Sequence, residues 1–383
     1  MGYFRRSILN RTKFIAIYFP QFHQTPENDK WWGEGFSDWN LVKDAKPLYE
    51  GHYQPRIPVD GYYDPREASV LQKQVQLAKK YGIYGFMFYH YWFDGKHMLE
   101  KPMETLLAHK EIEMPFFASW ANGTWTRQWL GKNEILLEQK HTPTKELWKK
   151  HFDYLLPFFK DGRYIKIDNK PVFSIYCPDI VKQQKDMFAY WNKLAIENGF
   201  SGIHFMAIKN FDFPNPSFLK NYDSLMKFQP REANTSKKNP NHQKANSIKV
   251  FRLLPEKLRY KIGDIKRKFS KHTTINSKKI WEYILSNACN NDYKDFEHLK
   301  IFESAFFGWD NTPRYRNRAT IYTTLSYDEK KTFFSELYKK TCNNNDEFIF
   351  FNAWNEWSEG AYIEPDDKYG FENLEIIKSV IEG

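Results

Sequence analysis

The chain has 383 residues, of which 41% are hydrophobic and 27% charged, with 18 Gly and 19 Pro. This composition excludes collagen-like, low-complexity and wholly disordered proteins, and it supplies enough apolar material for one large domain with additions. Aromatic residues make up 18% of the chain although the mean hydropathy is −0.72, so we expect many rings to lie near polar surroundings.

The net charge of +10 would by itself favour nucleic acid or an anionic membrane as a partner. The positive charge is concentrated in one segment, however. Residues 231–280 carry 15 Lys and Arg against Glu232, Glu256 and Asp264, so the rest of the chain is slightly acidic. We therefore expect no nucleic-acid partner.

The three cysteines are odd in number and far apart, which supports neither a disulfide framework nor a zinc site. No HExxH-type metal spacing and no glycine-rich nucleotide loop occurs, so we expect no metal and no cofactor. The first apolar run, 14–22, is too short to span a bilayer and reads as a strand. These features predict a cytoplasmic protein without a transmembrane helix.

Short apolar runs alternate with longer stretches of helical spacing, which is the pattern of repeated βα units around a parallel sheet. Eight strands are predicted, and they favour a (β/α)8 TIM barrel over the alternative of a doubly wound sheet. The predicted strands are 14–22, 82–93, 114–122, 171–177, 202–210, 224–229, 304–309 and 347–354. The predicted helices are 65–81, 97–110, 145–160, 179–198 and 328–341.

The basic segment 231–280 interrupts this rhythm after the sixth strand. We interpret residues 1–383 as one barrel domain with 231–280 as an insertion. The insertion is either a solvated excursion or a contact to an anionic glycan, lipid headgroup or membrane surface. The second interpretation predicts a peripheral contact with the inner face of the membrane.

Unusual polar and aromatic side chains follow several predicted strands, and barrel enzymes place their active sites at these strand ends. Rings that stack on sugar faces, together with amides and charged groups that bind hydroxyls, suit a carbohydrate ligand. Each residue taken alone is also compatible with a structural role. The candidate substrate-binding residues are His23, Trp39, Tyr89, His90, Tyr91, Trp120, Asn122, Trp125, Arg127, Trp309, Asp310, Asn355 and Trp357.

Glu356 and Glu359 are the candidate catalytic residues. Glycosidic cleavage requires a proton donor and a second carboxylate close to it. If the chain turns with local helical geometry, residues three apart lie on one face, whereas a straight strand would separate them. Gly360 directly after the pair favours the turn.

Six segments together resemble the WbsX-type proteins of bacterial surface-polysaccharide gene clusters, which in turn resemble the endo-α-mannosidases of glycoside hydrolase family 99. The resemblance covers nearly the whole chain except the basic segment. The segments are FIAIYFPQFH from Phe14, WWGEGFSDW from Trp31, YHYWF from Tyr89, WANGTWTRQW from Trp120, GWDNTPR from Gly308 and NAWNEWSEGAYIEPD from Asn352.

The resemblance implies a (β/α)8 barrel and a retaining, metal-independent reaction on α-mannose-configured substrates. The mannosidase motif Asn-Glu-Trp-x-Glu-Gly is matched by Asn355, Glu356, Trp357, Glu359 and Gly360. By this similarity Glu356 takes the proton of the sugar's 2-hydroxyl, and the 2-oxygen forms a 1,2-anhydro sugar. Glu359 protonates the leaving oxygen and then acts as a base.

The chain departs from the WbsX pattern at Gly123-Thr124 and at Gln128, which leaves the substrate open. The first hypothesis is a glycoside hydrolase acting on an O-antigen or capsule glycan, free or lipid-linked. The alternatives are a glycosyltransferase of lipopolysaccharide biosynthesis and a non-catalytic glycan-binding barrel.

Overall fold

The computed structural model describes residues 12–127, 134–240, 271–290 and 292–383. A barrel of parallel strands forms its centre, and every pairing between neighbouring barrel strands is parallel. The barrel strands are β1 (Lys13–Tyr18), β2 (Ile83–Phe93), β3 (Phe116–Trp120), β4 (Lys170–Ile175), β5 (His204–Lys209), β6 (Ser224–Lys227), β7 (Lys300–Phe302 and Ser304–Ala305) and β8 (Phe348–Phe351).

The barrel closes through β7, which has two segments on either side of Glu303. The first segment pairs with β6, with Ser224 opposite Lys300, and the second pairs with β8, with Ser304 opposite Phe350. The β8 strand pairs in turn with β1. The strands therefore follow one another around the barrel in chain order, and the prediction of a (β/α)8 barrel is confirmed.

The strands are apolar along their length because both of their faces are covered. In β1 every residue from Phe14 to Tyr18 is buried, and β8 is buried throughout. Aromatic side chains fill much of the space between strands and helices; Phe14, for example, packs against Phe334 and Tyr338. This continuous burial is the expected property of parallel strands covered on both sides.

The helices pack around the barrel. All five predicted helices are present, and the other six helices of the described residues, of which Ser277–Asn287 and Glu372–Glu382 are the longest, were not predicted. The helices in the described residues are α1 (Pro26–Trp32), α2 (Asp38–Lys43), α3 (Ala68–Lys80), α4 (Lys101–Ala108), α5 (Lys145–Phe159), α6 (Gln184–Glu197), α7 (Arg231–Thr235), α8 (Ser277–Asn287), α9 (Thr312–Tyr315), α10 (Tyr327–Asn343) and α11 (Glu372–Glu382).

Short elements complete the loops between strands and helices. The 3-10 turns are Pro178–Ile180, Pro216–Asn221, Arg316–Arg318 and Trp357–Glu359. The short strands outside the barrel are Lys96–Met98, Trp125–Thr126, Ile135–Leu137, Lys166–Ile167, Thr273–Ile275, Thr320–Tyr322, Asn355–Glu356 and Ala361–Tyr362. None of the helices in the described ranges is both long and apolar enough to cross a bilayer.

The predicted position of the seventh strand was wrong. The prediction placed it at 304–309, whereas pairing runs from Lys300 to Ala305. The apolar run continues past the strand because Phe306 and Phe307 pack against helices: Phe306 stacks on Trp281 of α8, and Phe307 contacts Phe334 of α10. Apolar character alone did not distinguish these helix contacts from strand pairing.

Parts of the basic segment belong to the barrel wall. Residues 231–235 form α7, and α8 begins at Ser277 and buries Trp281 completely. Residues 241–270, which carry most of the basic charge, lie outside the described residues. The division into one domain with an insertion at 231–280, and the contact of that insertion with a membrane, therefore stay predictions.

A buried ion pair joins β6 to β7 where the barrel closes. Lys227, at the end of β6, donates from Nζ to Glu303 Oε1 at 2.8 Å, and both side chains are almost fully buried. Glu303 Oε1 also accepts the backbone N–H of Cys289 at 2.8 Å. Removal of one partner leaves the other charge buried and unpaired, which is strongly destabilising.

We predict that Glu303→Ala lowers the free energy of unfolding by about 3 to 5 kcal/mol, the usual effect of leaving a buried charge without its partner. Urea denaturation followed by far-UV circular dichroism measures this change. Glu113→Ala is the matched control because Glu113 forms an exposed pair with Lys79 at 3.4 Å, and its loss changes stability by about 1 kcal/mol or less. Equal effects of the two substitutions would contradict the role given to Glu303.

Candidate active site

A cavity of about 280 Å³ opens at the C-terminal ends of the barrel strands. Eight of its 20 lining residues are aromatic, and two glutamates and two arginines supply its charged groups. Its aromatic residues are Phe19, Trp32, Tyr89, Tyr91, Trp125, Tyr176, Phe228 and Trp309. Its polar and charged residues include Gln21, Asn28, Thr124, Thr126, Arg231, Arg314, Glu356 and Glu359.

The two glutamates reach the cavity from a tight turn after β8. The short strand Asn355–Glu356 runs into the 3-10 turn Trp357–Glu359, as the position of Gly360 predicted. Gly360 has a φ of 59°, and a Cβ atom there would lie 2.9 Å from the backbone nitrogen of Asp310. Glycine is therefore required at this position, both by its backbone conformation and by the close approach of the neighbouring chain.

Arg314 holds three carboxyl groups around one guanidinium. Its Nη1 contacts Glu359 Oε1 and lies 3.3 Å from Glu356 Oε1, while its Nη2 donates to Asp38 Oδ2 at 3.1 Å. Ser358, between the two glutamates, donates its hydroxyl to the same Asp38 oxygen. All of these side chains are buried, so this cluster fixes the positions of both candidate catalytic groups.

Burial, and then the nearby charge of Glu359, raise the pKa of Glu356 to about 8. Burial lowers the pKa of the Arg314 guanidinium, but the charges of Glu359, Asp38 and Glu356 have a larger opposite effect. The pKa of Arg314 is therefore well above its ordinary value. The free site therefore has a charged Arg314 and a Glu356 that carries a proton at neutral pH. A protonated carboxyl group next to a second carboxyl group is an arrangement that acid–base catalysis can use.

A second buried carboxylate supports the turn from behind. Glu364 accepts from Trp357 Nε1 at 2.7 Å, from Tyr63 Oη at 2.7 Å and from Gln74 Nε2 at 2.6 Å. Burial raises the pKa of Glu364 to about 7 despite these hydrogen bonds. Tyr63 Oη also accepts a hydrogen bond from Asn355 Nδ2 at 3.2 Å. These contacts fix Asn355 and Trp357 on either side of Glu356.

The structure brings part of the predicted site together in this cavity. The predicted residues that line it are Glu356, Glu359, Tyr89, Tyr91, Trp125 and Trp309. The predicted residues that lie outside its lining are Asn355, Trp357, His23, Trp39, His90, Trp120, Asn122, Arg127 and Asp310.

Two of the outlying residues support the strand ends. Asn122 joins the end of β3 to the end of β4, because its side chain bonds both the N–H and the carbonyl of Cys177, at 2.7 and 2.9 Å. Trp120 stacks on His141, with ring centroids 5.1 Å apart, and donates from Nε1 to the Trp92 carbonyl. Both residues shape the wall from behind without reaching the cavity.

The two predicted histidines are buried away from the cavity. His90 Nε2 lies 2.9 Å from His151 Nε2, and burial lowers the pKa of His90 to about 3. The ring nitrogen Nδ1 of His23 lies 2.9 Å from the Pro20 carbonyl oxygen. Both imidazoles are therefore neutral side chains within the packed wall.

Asp310, Trp39 and Arg127 bind partners outside the cavity lining. Asp310 accepts from His52 and Gln54 at 2.8 and 2.7 Å. Trp39 donates from Nε1 to the Tyr63 carbonyl at 2.6 Å. Arg127 pairs with Glu134 at 2.9 Å and lies over the ring of Trp32, which lines the cavity.

The site also contains residues that were not among the predicted site residues, including Tyr176, Phe228 and Arg231 of the cavity lining and the ion-paired Asp38 and Arg314. Tyr176 and Phe228 lie inside the predicted strands 171–177 and 224–229, whereas the observed strands end at Ile175 and Lys227, so both residues follow the strand end directly. Arg231 was not predicted as a site residue because it is the first residue of the basic segment 231–280, which was interpreted as an insertion. The partners of Arg314 come from distant parts of the chain, which no sequence spacing reveals.

A comparison with protein families matches residues 14–377 to the family described as "Glycosyltransferase WbsX". The chain belongs to this family. The "Uncharacterized protein WxcX" of Xanthomonas campestris pv. campestris is 30% identical over 372 residues, which are 96% of this chain and 49% of that protein. The chain thus spans about half the length of the curated relatives that it matches.

Solved structures with the same fold include glycoside hydrolases. The GH99 endo-alpha-mannosidase from Bacteroides thetaiotaomicron matches with a TM-score of 0.53 and 14% identity, over 96% of this chain and 95% of that chain. A "Glycoside hydrolase-like protein" matches with a TM-score of 0.56 and 12% identity, over 97% and 94% of the two chains. At these identities the likeness shows the fold.

We predict that Glu356→Gln stabilises the protein increasingly as the pH rises from about 5 to about 8, because the wild-type carboxyl stays protonated in the folded state over that range and ionises in the unfolded state. The folded state favours the protonated form of Glu356, so the free energy of unfolding of the wild-type protein falls as the pH rises. The Glu356→Gln variant carries an amide that does not ionise, and its stability lacks this dependence on pH. Urea unfolding at several pH values measures the difference, which should reach about 1 to 3 kcal/mol at pH 8.

Glu34→Gln is the control because Glu34 is exposed. Its effect on unfolding should be small and independent of pH. A difference between wild type and Glu356→Gln that stays constant from pH 5 to pH 8 would contradict the protonated state of Glu356.

Proposed function

We propose that this protein cleaves or transfers α-mannose-configured or related linkages of a bacterial surface polysaccharide, with retention of configuration. The observation that carries the proposal is the pair Glu356 and Glu359, held by one guanidinium in the lining of a cavity rich in aromatic residues. A proton donor and a second carboxyl group are what glycosidic cleavage requires. The WbsX family and the GH99-like fold indicate an enzyme related to polysaccharides.

The aromatic wall suits a sugar chain. Tyr89, Tyr91 and Trp125 lie side by side, with the rings of Tyr91 and Trp125 5.2 Å apart, and Trp309 lines the same cavity. Rings of this kind offer apolar faces to sugar C–H groups, and hydroxyl and indole N–H groups at their edges bind sugar hydroxyls.

In the proposed first step, the 2-oxygen of the sugar attacks C1 while the bond from C1 to the leaving oxygen breaks. The proton of the 2-hydroxyl passes to Glu356, and Glu359 gives its proton to the leaving oxygen. In the second step, water or an alcohol attacks C1 of the 1,2-anhydro sugar and passes its proton to Glu359. Glu356 returns its proton to the 2-oxygen, which restores both carboxyl groups.

The proposed roles require the shared proton to lie on Glu359 when the sugar is bound. In the free site Glu356 carries a proton, because burial and the nearby charge of Glu359 raise its pKa. A sugar hydroxyl that donates to Glu356 stabilises the ionised form of that carboxyl. A leaving oxygen beside Glu359 accepts a hydrogen bond only from a protonated carboxyl. Substrate binding thus favours the transfer of the proton from Glu356 to Glu359.

Hydrolysis and transfer differ only in the acceptor of the second step. The family description names a glycosyltransferase, and the structural neighbours include glycoside hydrolases. An alcohol of a growing glycan in place of water turns the same two steps into transfer. We propose hydrolysis as the leading activity, with glycosyl transfer as the alternative, on an O-antigen or capsule glycan in the cytoplasm.

The proposed roles predict different responses to the leaving group. With a polysaccharide, Glu356→Gln and Glu359→Gln should each lower the rate by about 10²-fold or more, as expected for loss of a general acid or base. With α-mannobiosyl fluoride, which leaves without protonation, Glu359→Gln should retain a much larger fraction of the wild-type rate of the first step than Glu356→Gln. Fluoride release measures that step.

Glu34→Gln, an exposed glutamate away from the cavity, controls for the substitution itself and should cleave both substrates at the wild-type rate. Either cavity variant that cleaves the polysaccharide at the wild-type rate would refute its catalytic role. Equal losses of the two variants on the fluoride would refute the separate roles of base and acid.

A further inference from the structure

Arg231 lines the same cavity as the carboxyl cluster, but the carboxyl groups of that cluster form their ion pairs with Arg314. It is the first residue of α7, it lines the cavity, and its side chain is exposed. Its Nη1 donates to Tyr176 Oη at 3.0 Å. Tyr176 follows β4, which lies opposite β8 in the barrel. Arg231 and Tyr176 therefore form a wall across the cavity from the turn that carries Glu356 and Glu359.

Buried contacts fix the backbone of Arg231. The next residue, Glu232, is 3% exposed and pairs with Lys209 at 2.9 Å. Gln229 donates to Glu232 at 3.0 Å and accepts the backbone N–H of Ala233 at 3.1 Å. These contacts hold α7 against the end of β5, so the Arg231 side chain projects from a rigid base into the cavity.

The charge of Arg231 is not neutralised by an ion pair. Arg314 is surrounded by three carboxyl groups, whereas no carboxylate in the described part of the chain forms an ion pair with Arg231. Tyr176 takes one of the five N–H donors of the guanidinium, and the exposed position leaves others open to the cavity. A planar guanidinium with open donors matches a carboxylate or phosphate group in geometry and charge.

We propose that Arg231 binds an anionic group of the glycan, a carboxylate or a phosphate, and so selects an acidic sugar for this cavity. The inference rests on the carbohydrate-binding part of the proposed function, because the anion is taken to belong to the bound glycan. The position across from the glutamates fits this role. An anion bound at Arg231 leaves the rest of the sugar to extend toward the carboxyl pair, whose charges also act on Arg231.

Three monosaccharides that differ only at C6 test the proposal: methyl α-mannopyranoside, its C6 carboxylate and its 6-phosphate. We expect the wild-type protein to bind at least one of the two anionic sugars about tenfold more tightly than the neutral sugar at low salt, which corresponds to about 1.4 kcal/mol. Titration calorimetry measures the three dissociation constants. The sugar with the greater advantage tells whether the glycan carries a carboxylate or a phosphate.

Variants then assign the preference to one side chain. Arg231→Gln should bind all three sugars with similar affinity, and Arg231→Lys should keep part of the preference because it keeps the charge. Arg66→Gln, which removes an exposed arginine paired with Asp64, should behave as wild type. Circular dichroism confirms that each variant is folded.

Equal binding of neutral and anionic sugars by the wild type overturns the proposal, as does a preference that survives in Arg231→Gln or a lack of binding of all three sugars. Failure of the proposed catalytic function is a separate result, because binding is measured without turnover. A protein that shows the Arg231-dependent preference but cleaves no glycan would refute catalysis and leave this inference intact. Cleavage of the glycan without an Arg231-dependent preference for anionic sugars would support catalysis and refute this inference.

Discussion

The buried cluster of Arg314 with Asp38, Glu356 and Glu359 is the constraint on which the site depends. Burial, and then the charges of Glu359 and Asp38, raise the pKa of Glu356 against the opposing charge of Arg314, so Glu356 stays protonated within the cluster. The same balance that makes the cluster stable therefore prepares a proton donor and an acceptor side by side. Burial of these carboxyl groups thus affects both the stability of the folded protein and the acid–base chemistry of the site.

The barrel assembles this cluster from distant parts of the chain. Asp38 follows β1, Arg314 follows β7, and the glutamates follow β8, and these three strands are consecutive around the barrel because β8 pairs with both of the others. Burial of a charge is costly unless it is paired, so correct closure of the barrel is a condition for the cluster. The cavity wall opposite, with Tyr176 and Arg231, comes from β4 and from α7. The closed barrel thus brings two differently charged surfaces face to face across one cavity.

Much of the fold could be predicted from the sequence because each strand is an apolar run and each run is followed by helical spacing. The end of β7 could not be predicted, because Phe306 and Phe307 continue the apolar run but pack against helices and do not pair with a strand. In the site, Glu356, Glu359 and four aromatic residues were predicted from their position after strands. His90 and Asp310 have the same sequence context but are buried with other partners, His151 and His52. Polar and aromatic residues after a strand are candidates for the site. The contacts in the folded structure then separate the side chains that line the cavity from those that support its wall.

The most direct measurement is mass spectrometry of the products formed from the surface polysaccharide of the organism that encodes the protein, in ¹⁸O-labelled water, with and without nucleotide sugars. The account predicts shortened oligosaccharides without any added donor, with ¹⁸O at the new reducing end. Extension of the glycan only when a donor is present, with no label incorporated, would contradict hydrolysis and show that transfer is the activity of this site.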